Sequence, residues 1–107
     1  MPRRILRHDQ AQSDLIEAAA YIAENSPSAA YRFLTAAEKA FLHLAEMPGM
    51  GVLHDYQRPE LRGMHMWPVP GFRNILIFYA ATQDTIEIIR VLHGARDIES
   101  LFIPGER

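Results

Sequence analysis

The sequence predicts an α+β domain in which a helical hairpin packs on one face of a mainly antiparallel sheet. Two observations predict this fold class. Residues 11–22 and 30–45 carry apolar side chains every three to four positions, which is typical of amphipathic helices. After residue 60 the pattern changes to short apolar and β-branched runs separated by turn residues, which is typical of strands. With an extended segment at residues 3–8, the predicted order is one strand, two helices and three strands.

The boundaries of the two helices are marked by capping residues. Asp9 is expected to cap the first helix. Asn25-Ser26-Pro27 ends that helix and begins the second one, with Ser26 as the cap and Pro27 at the first helical position. Residues 47–51, which contain a proline and two glycines, end the second helix. Because the connection is so short, the helices are expected to lie adjacent and antiparallel.

The second half of the chain contains three expected strands after an irregular loop at residues 52–59. The middle strand is a continuous apolar run, as expected of a central strand that is buried on both faces. Pro68 places the first of them near an edge of the sheet, and Pro70-Gly71 forms the turn after it. Asp97 begins a short C-terminal helical turn. The predicted strands are Arg62–Val69, Ile75–Tyr79 and Thr85–Leu92.

Length and composition restrict the class of protein. The chain has 107 residues, which predicts a single domain over residues 1–107. Cysteine is absent, which excludes disulfides, thiolate metal sites and cysteine nucleophiles. No apolar stretch approaches the roughly 20 residues needed to span a bilayer. The basic N-terminus is not followed by the apolar core of a signal peptide. We therefore expect a cytoplasmic protein that does not associate with membranes.

Charge is unevenly distributed along the chain, whose net charge is −2. Residues 9–46 carry six acids and two bases, whereas residues 1–8 carry three arginines and no acid. The net charge argues against a general nucleic-acid binder. Arginines in the C-terminal half are either solvated surface residues or part of a surface for carboxylates or phosphates, which arginine binds in bidentate fashion. These arginines are Arg58, Arg62, Arg73, Arg90 and Arg96.

Several short sequence motifs, which together cover nearly the whole chain, resemble the RelE/ParE superfamily of bacterial toxins, and its ParE branch most closely. The resemblance extends to the order of the motifs and the distances between them. The most specific string is Ile88–Asp97, because it places Arg90, His93 and Arg96 at the end of the last strand. The other matching strings are residues 11–17, 21–23, 29–33, 44–51, 59–63 and 77–79.

This resemblance implies a fold, an activity and a partner. The fold is an N-terminal strand, a helical hairpin, a three-strand antiparallel meander in one small sheet and a short C-terminal helical turn. The activity is that of the toxin in a type II toxin–antitoxin system, as used in plasmid stabilisation, which inhibits DNA gyrase by binding it. The partner is a ParD-like antitoxin with a ribbon-helix-helix N-terminal domain. We therefore expect a hetero-oligomer that contacts DNA only indirectly, through the antitoxin.

RelE-type toxins of the same superfamily cleave ribosome-bound mRNA, so a ribonuclease is the alternative function. Such an enzyme needs cations around the scissile phosphate and a group that transfers protons. RelE-like enzymes are expected to carry a tyrosine where this chain has Phe102, and often an arginine where it has Leu76. Lys39 is the only lysine. These departures predict a protein that is not an enzyme and has no catalytic residues.

Two alternatives to the non-enzymatic toxin remain. The first is a ribosome-dependent ribonuclease that uses Arg73, His93 and Arg96. Tyr79 could complete a substitute set with Arg73 and His93, but we expect it to belong to the apolar strand, with its hydroxyl satisfied locally. A third possibility is a protein that keeps the toxin fold and antitoxin binding but is not toxic.

The candidate partner-binding residues lie on the predicted sheet. Trp67 is either a core residue or an anchor for a partner. Arg90 either pairs with Glu87 or Glu60 or binds a partner's carboxylates. Arginines beside an edge strand favour an antitoxin that adds a strand and supplies acids. The five histidines lack metal-ligand spacing, so neither a metal nor a cofactor is expected. The candidate residues are Trp67, Arg73, Arg90, His93 and Arg96.

Overall fold

The computed structural model describes residues 2–53 and 64–94, and these residues form the expected α+β arrangement. Two helices follow a first strand, and the remaining strands complete one sheet. The C-terminal helical turn predicted from Asp97 lies outside the described residues. The elements are β1 (Arg4–Arg7), α1 (Asp9–Ala23), α2 (Pro27–Glu46), a 3-10 turn (Pro48–Met50), β2 (Val52–Leu53), β3 (His65–Val69), β4 (Phe72–Ala81) and β5 (Thr85–His93).

The sheet has five strands in the order β1-β5-β4-β3-β2, one more than the sequence predicted. The meander β3-β4-β5 is antiparallel as expected, and β1 joins it in parallel beside β5. The additional strand is β2, which lies where an irregular loop was predicted; within the described residues it pairs with β3 at His65 and Met66. A two-residue strand is too short to show the alternation by which strands are recognised in a sequence.

The helix boundaries confirm one predicted cap and correct the other. The Ser26 Oγ accepts a hydrogen bond from the Ala29 backbone N–H at 3.1 Å, and Pro27 begins α2. Asp9 does not cap α1, because the helix begins at Asp9 and its N-cap is His8, which makes no side-chain capping hydrogen bond. The Asp9 carboxylate instead lies in the first turn, where it complements the positive end of the helix dipole.

The helical hairpin covers one face of the sheet and forms the main core with it. The centre of this core is fully buried, and burying each large apolar side chain contributes roughly 1.5–3 kcal/mol. On the opposite face, Phe78 and Leu92 form a smaller cluster. The strand β4 is therefore buried on both faces, which confirms its predicted central position. The main core includes Leu15, Phe33, Phe41, Leu44, Ile77, Tyr79, Ile86 and Ile88.

A β-bulge in β5 changes which of its side chains face the helices. Tyr79 is opposite Ile88, whereas the preceding residue, Phe78, is opposite Arg90, so Ile89 is the extra residue. Before the bulge Ile88 belongs to the main core, and after it Val91 does. The bulge therefore keeps apolar side chains under the helices and places Arg90 at the point where the strand is distorted.

Candidate partner-binding surface

Two of the predicted surface residues lie at the same end of the sheet. His93 is opposite Ile75 in the β4–β5 ladder. Arg73 precedes Ile75 by two residues on β4, so Arg73 and His93 lie at the same end of these two neighbouring strands. Arg73 is exposed and His93 is half-buried. The register therefore places a cation and an imidazole at one end of the sheet.

The other predicted residues are placed differently. Trp67 lies on β3 opposite Ile77, half-buried against the main core. This packing is the core role that the sequence left open for it. Arg96 lies outside the described residues, as does Phe102. That Trp67 and Arg96 contact a partner stays a prediction.

Arg90 makes an internal ion pair with Asp14 of α1. Its Nε donates to Asp14 Oδ2 at 2.8 Å and its Nη2 donates to Asp14 Oδ1 at 3.2 Å. This is the bidentate geometry in which a guanidinium binds a carboxylate most strongly. The Asp14 side chain is 7% exposed and that of Arg90 is 29% exposed. Arg90 therefore has a structural role, since a carboxylate this buried requires a charged partner.

Asp14 also occupies an edge of β5 that β1 does not cover. The ladder between β1 and β5 ends at Ile88, whose carbonyl accepts the His8 N–H at 3.0 Å. Further along β5, the Val91 backbone N–H donates to Asp14 Oδ2 at 3.0 Å. A side-chain carboxylate thus provides the acceptor that a neighbouring strand would otherwise supply. This single residue fixes the position of α1 along β5.

Sequence reasoning did not identify Asp14 as the partner of Arg90. The carboxylates considered for Arg90 were Glu87 and Glu60. Glu87 instead contacts His8, whose Nε2 lies 2.9 Å from the acceptor oxygen Oε1 of Glu87. A signal for Asp14 was present, because it falls in the same helical stripe as the buried Ala11 and Leu15. An acid in an apolar stripe indicates a buried carboxylate with a specific partner.

The hydroxyl of Tyr79 makes its hydrogen bonds to nearby backbone groups, as expected. Its hydroxyl donates to the Pro48 carbonyl at 2.6 Å and accepts the Gly51 N–H at 2.8 Å. Burial raises the pKa of Tyr79 above 10.0, and the Gly51 N–H opposes this effect. The imidazole of His65 stacks on the phenol ring, with 5.4 Å between ring centres. These contacts attach the 3-10 turn to β4 and engage the hydroxyl on both its donor and acceptor sides.

The described residues do not contain a group of three or more histidine, aspartate or glutamate side chains that could hold a metal ion.

Leu76, at the position where RelE-like enzymes often carry arginine, packs against Phe78 and Leu92 on the face away from the helices. Within the described parts of the chain, neither helix is long and apolar enough to cross a membrane.

The fold and these contacts define a small α+β domain whose candidate residues lie on a sheet surface. The chain belongs to the family of ParE toxins of type II toxin–antitoxin systems (parDE), whose family model matches residues 5–98. This confirms the resemblance found in the sequence, and the protein is a toxin component of such a system. A search of curated proteins gives no match.

A solved structure shares the fold. The chromosomal ParDE toxin–antitoxin system from P. aeruginosa contains a chain that superposes with a TM-score of 0.66 at 14% sequence identity. The match covers 85% of this chain and 95% of that one. At this level of identity the likeness is one of fold.

Proposed function

We propose that this toxin acts by binding DNA gyrase and stalling it, without catalysing a reaction, and that a ParD-like antitoxin neutralises it in the cytoplasm. The proposal that the toxin is not an enzyme rests on one observation, namely that both hydrogen-bonding sides of the Tyr79 hydroxyl are occupied by backbone groups. A general acid or base must reach the proton that it transfers. The Tyr79 hydroxyl is instead buried between Pro48 and Gly51, with a raised pKa. The choice of gyrase as the target follows from family membership.

The arginines do not restore a catalytic set in the described residues. Arg90 is held by Asp14, and Leu76 occupies an apolar cluster. Arg73 and His93 lie at the same end of β4 and β5. A ribonuclease would therefore have to use these two residues with Arg96, without Tyr79. This is the second candidate function, and the position of Arg73 and His93 at one end of the sheet is the observation that favours it.

A supercoiling assay with purified gyrase tests the proposal. We expect micromolar toxin to inhibit supercoiling, and Arg73→Ala and His93→Ala to weaken inhibition if the end of the sheet contacts gyrase. Arg4→Ala is the matched control, because Arg4 is exposed on β1 opposite Thr85, at the end of β5 away from His93. Absence of inhibition by the wild type would reject the gyrase target. Cleavage of ribosome-bound mRNA that Arg96→Ala abolishes would support the ribonuclease instead.

The antitoxin is proposed to add a strand to the sheet and to supply acids, giving a hetero-oligomer that reaches DNA only through the antitoxin's ribbon-helix-helix domain. Two observations support strand addition: among the described residues β2 pairs with β3 at His65 and Met66 alone, and Val52 and Leu53 are more than 60% exposed. An exposed apolar edge strand is a template for another chain.

The single tryptophan provides a direct test of antitoxin binding. Trp67 lies on β3, so a strand added beside β3 changes its environment. We expect the product of the adjacent reading frame to co-purify with this chain and to shift the emission of Trp67. A toxin that binds this product but inhibits neither gyrase nor translation would be the non-toxic variant of the fold. Failure of the product to bind would reject the pairing itself.

A further inference from the structure

A cleft between α2 and the β3–β4 turn is separate from the end of the sheet that carries Arg73 and His93. Its volume is about 440 Å³, which is within the usual range of roughly 300–1,000 Å³ for binding sites. The floor is formed by the small side chains of Ala36 and Ala40, and Pro70 from the β3–β4 turn forms one wall. The remaining lining residues are Tyr31, Arg32, Thr35, Lys39 and His43.

Charge is segregated in this cleft. Its lining contains Arg32, Lys39 and His43 and no acid. Residues 9–46 hold six acids and only two bases, and both of those bases line the cleft. The acid of α2 nearest to them in sequence, Glu38, is turned away and pairs with Arg7 of β1. A basic cleft thus lies on an otherwise acidic pair of helices.

We propose that this cleft binds an acidic amphipathic helical segment of a partner protein. Arg32, Lys39 and His43 follow one another at intervals of seven and four residues, which places them on one face of α2. At 1.5 Å per residue they extend over about 16 Å. Carboxylates on one side of a bound helix match this row of bases, while Ala36 and Ala40 allow its backbone to approach closely.

The same features favour a protein segment over a nucleic acid. A polyanion is repelled by a chain with a net charge of −2, and its binding relies on many phosphate contacts. Arg32, Lys39 and His43 over an alanine floor could make only a few phosphate contacts. An acidic peptide needs only local charge complementarity and an apolar strip. The inference takes from the proposed function only the expectation of a partner with an acidic segment, and it is independent of the gyrase target.

A designed peptide tests the cleft on the full chain. The probe is a fluorescein-labelled helix of about 15 residues, rich in alanine and leucine, with glutamates spaced by four and then seven residues to meet His43, Lys39 and Arg32 in antiparallel orientation. The control peptide carries glutamine in their place. We expect fluorescence anisotropy at low salt to show binding of the glutamate peptide, at least about tenfold weaker binding of the glutamine peptide, and loss of affinity as salt screens the charges.

Matched variants locate the binding. Lys39→Glu is expected to weaken binding at least about tenfold, because it places like charges opposite each other. Arg4→Glu makes the same charge change at an exposed position on β1 and should alter affinity less than about twofold. Ala36→Leu fills the floor without changing charge and should also weaken binding. Circular dichroism melts check that each variant is folded.

Three outcomes would overturn the inference. Equal affinity for the two peptides would show that charge does not matter, and full affinity in Lys39→Glu would place binding elsewhere. Tighter binding of a single-stranded oligonucleotide, with the same dependence on Lys39, would identify a nucleic-acid site. A result of any of these kinds leaves the supercoiling assay unaffected, so this inference and the proposed function can fail separately.

Discussion

Two buried polar side chains connect neighbouring parts of the chain to the sheet, one charged and the other neutral. Asp14 connects α1 to β5 through Arg90 and the Val91 backbone. Tyr79 connects β4 to the 3-10 turn through Pro48 and Gly51. The carboxylate depends on a cation, whereas the hydroxyl needs only neutral hydrogen bonds. The fold therefore depends more strongly on the Asp14 contact, because an unpaired buried charge costs more free energy than an unpaired dipole.

Removing the cation from the charged contact should give the largest effect. Arg90→Met keeps an unbranched apolar stem but leaves the Asp14 carboxylate without its ion pair. We expect the free energy of unfolding to fall by about 3 kcal/mol, measured by urea denaturation. The double variant Asp14→Asn/Arg90→Met should recover part of the loss, because no buried charge remains. A loss below about 1 kcal/mol in the single variant would mean that water solvates Asp14.

Crowding the neutral contact should have the next largest effect. A Cβ added at Gly51 would lie 2.7 Å from Cε1 and 2.8 Å from Cζ of Tyr79, so the ring or the 3-10 turn must move. We expect Gly51→Ala to lower the free energy of unfolding by about 2 kcal/mol. Gly49→Ala is the matched control, because a Cβ there meets nothing within 4 Å. Equal stability of the two variants would contradict the close packing.

Deleting the hydroxyl should have a smaller effect than crowding it. Tyr79→Phe keeps the ring in the core but leaves the Pro48 carbonyl and the Gly51 N–H without this partner. We expect a loss of about 1–2 kcal/mol in the free energy of unfolding. Tyr31→Phe should be nearly neutral, since Tyr31 is 76% exposed. If both substitutions are neutral, the hydroxyl contributes nothing to the attachment of the turn.

High pH should weaken the neutral contact gradually. Burial raises the pKa of Tyr79 above 10.0, although the Gly51 N–H opposes the shift. The phenol therefore ionises first in the unfolded chain, so its contribution is complete below pH 10 and is lost as pH rises towards the folded-state pKa. We expect the wild type to lose more stability than Tyr79→Phe between pH 9 and 11, by at most about 1.4 kcal/mol per pH unit. Equal losses would show that Tyr79 does not titrate differently on folding.

The helical hairpin and the central strand could be predicted because their information is local. Ser26-Pro27 marks a helix start in consecutive residues, and the apolar run from Ile75 to Tyr79 identifies a buried strand without knowledge of its neighbours. The turn at Gly71, whose φ is +84°, could likewise be predicted from the consecutive residues Pro70 and Gly71.

The contacts of the candidate surface depended on distant residues and were harder to predict. Arg90 and Asp14 are 76 residues apart, and an acid near a helix start is usually a dipole feature. The bulge at Ile89 also shifts the alternation of β5, so the direction of Arg90 does not follow from strand periodicity. By contrast, adjacent strands joined by a short turn pair antiparallel, so Arg73 and His93 could be expected at the same end of β4 and β5.

The pairing of β1 with β5 determines when this fold can be completed during synthesis. The contact between Asp14 and Val91, for example, joins residues that are 77 positions apart in the sequence. Contacts between residues so distant slow folding. At a translation rate of about 5–20 residues per second, β1 waits at least several seconds for its partner strand. The helical hairpin, whose contacts are local, can form in that interval. A partner that binds at the end of β5 therefore meets its binding surface only after Thr85–His93 has been made, whereas the residues that line the cleft, up to Pro70, are made earlier.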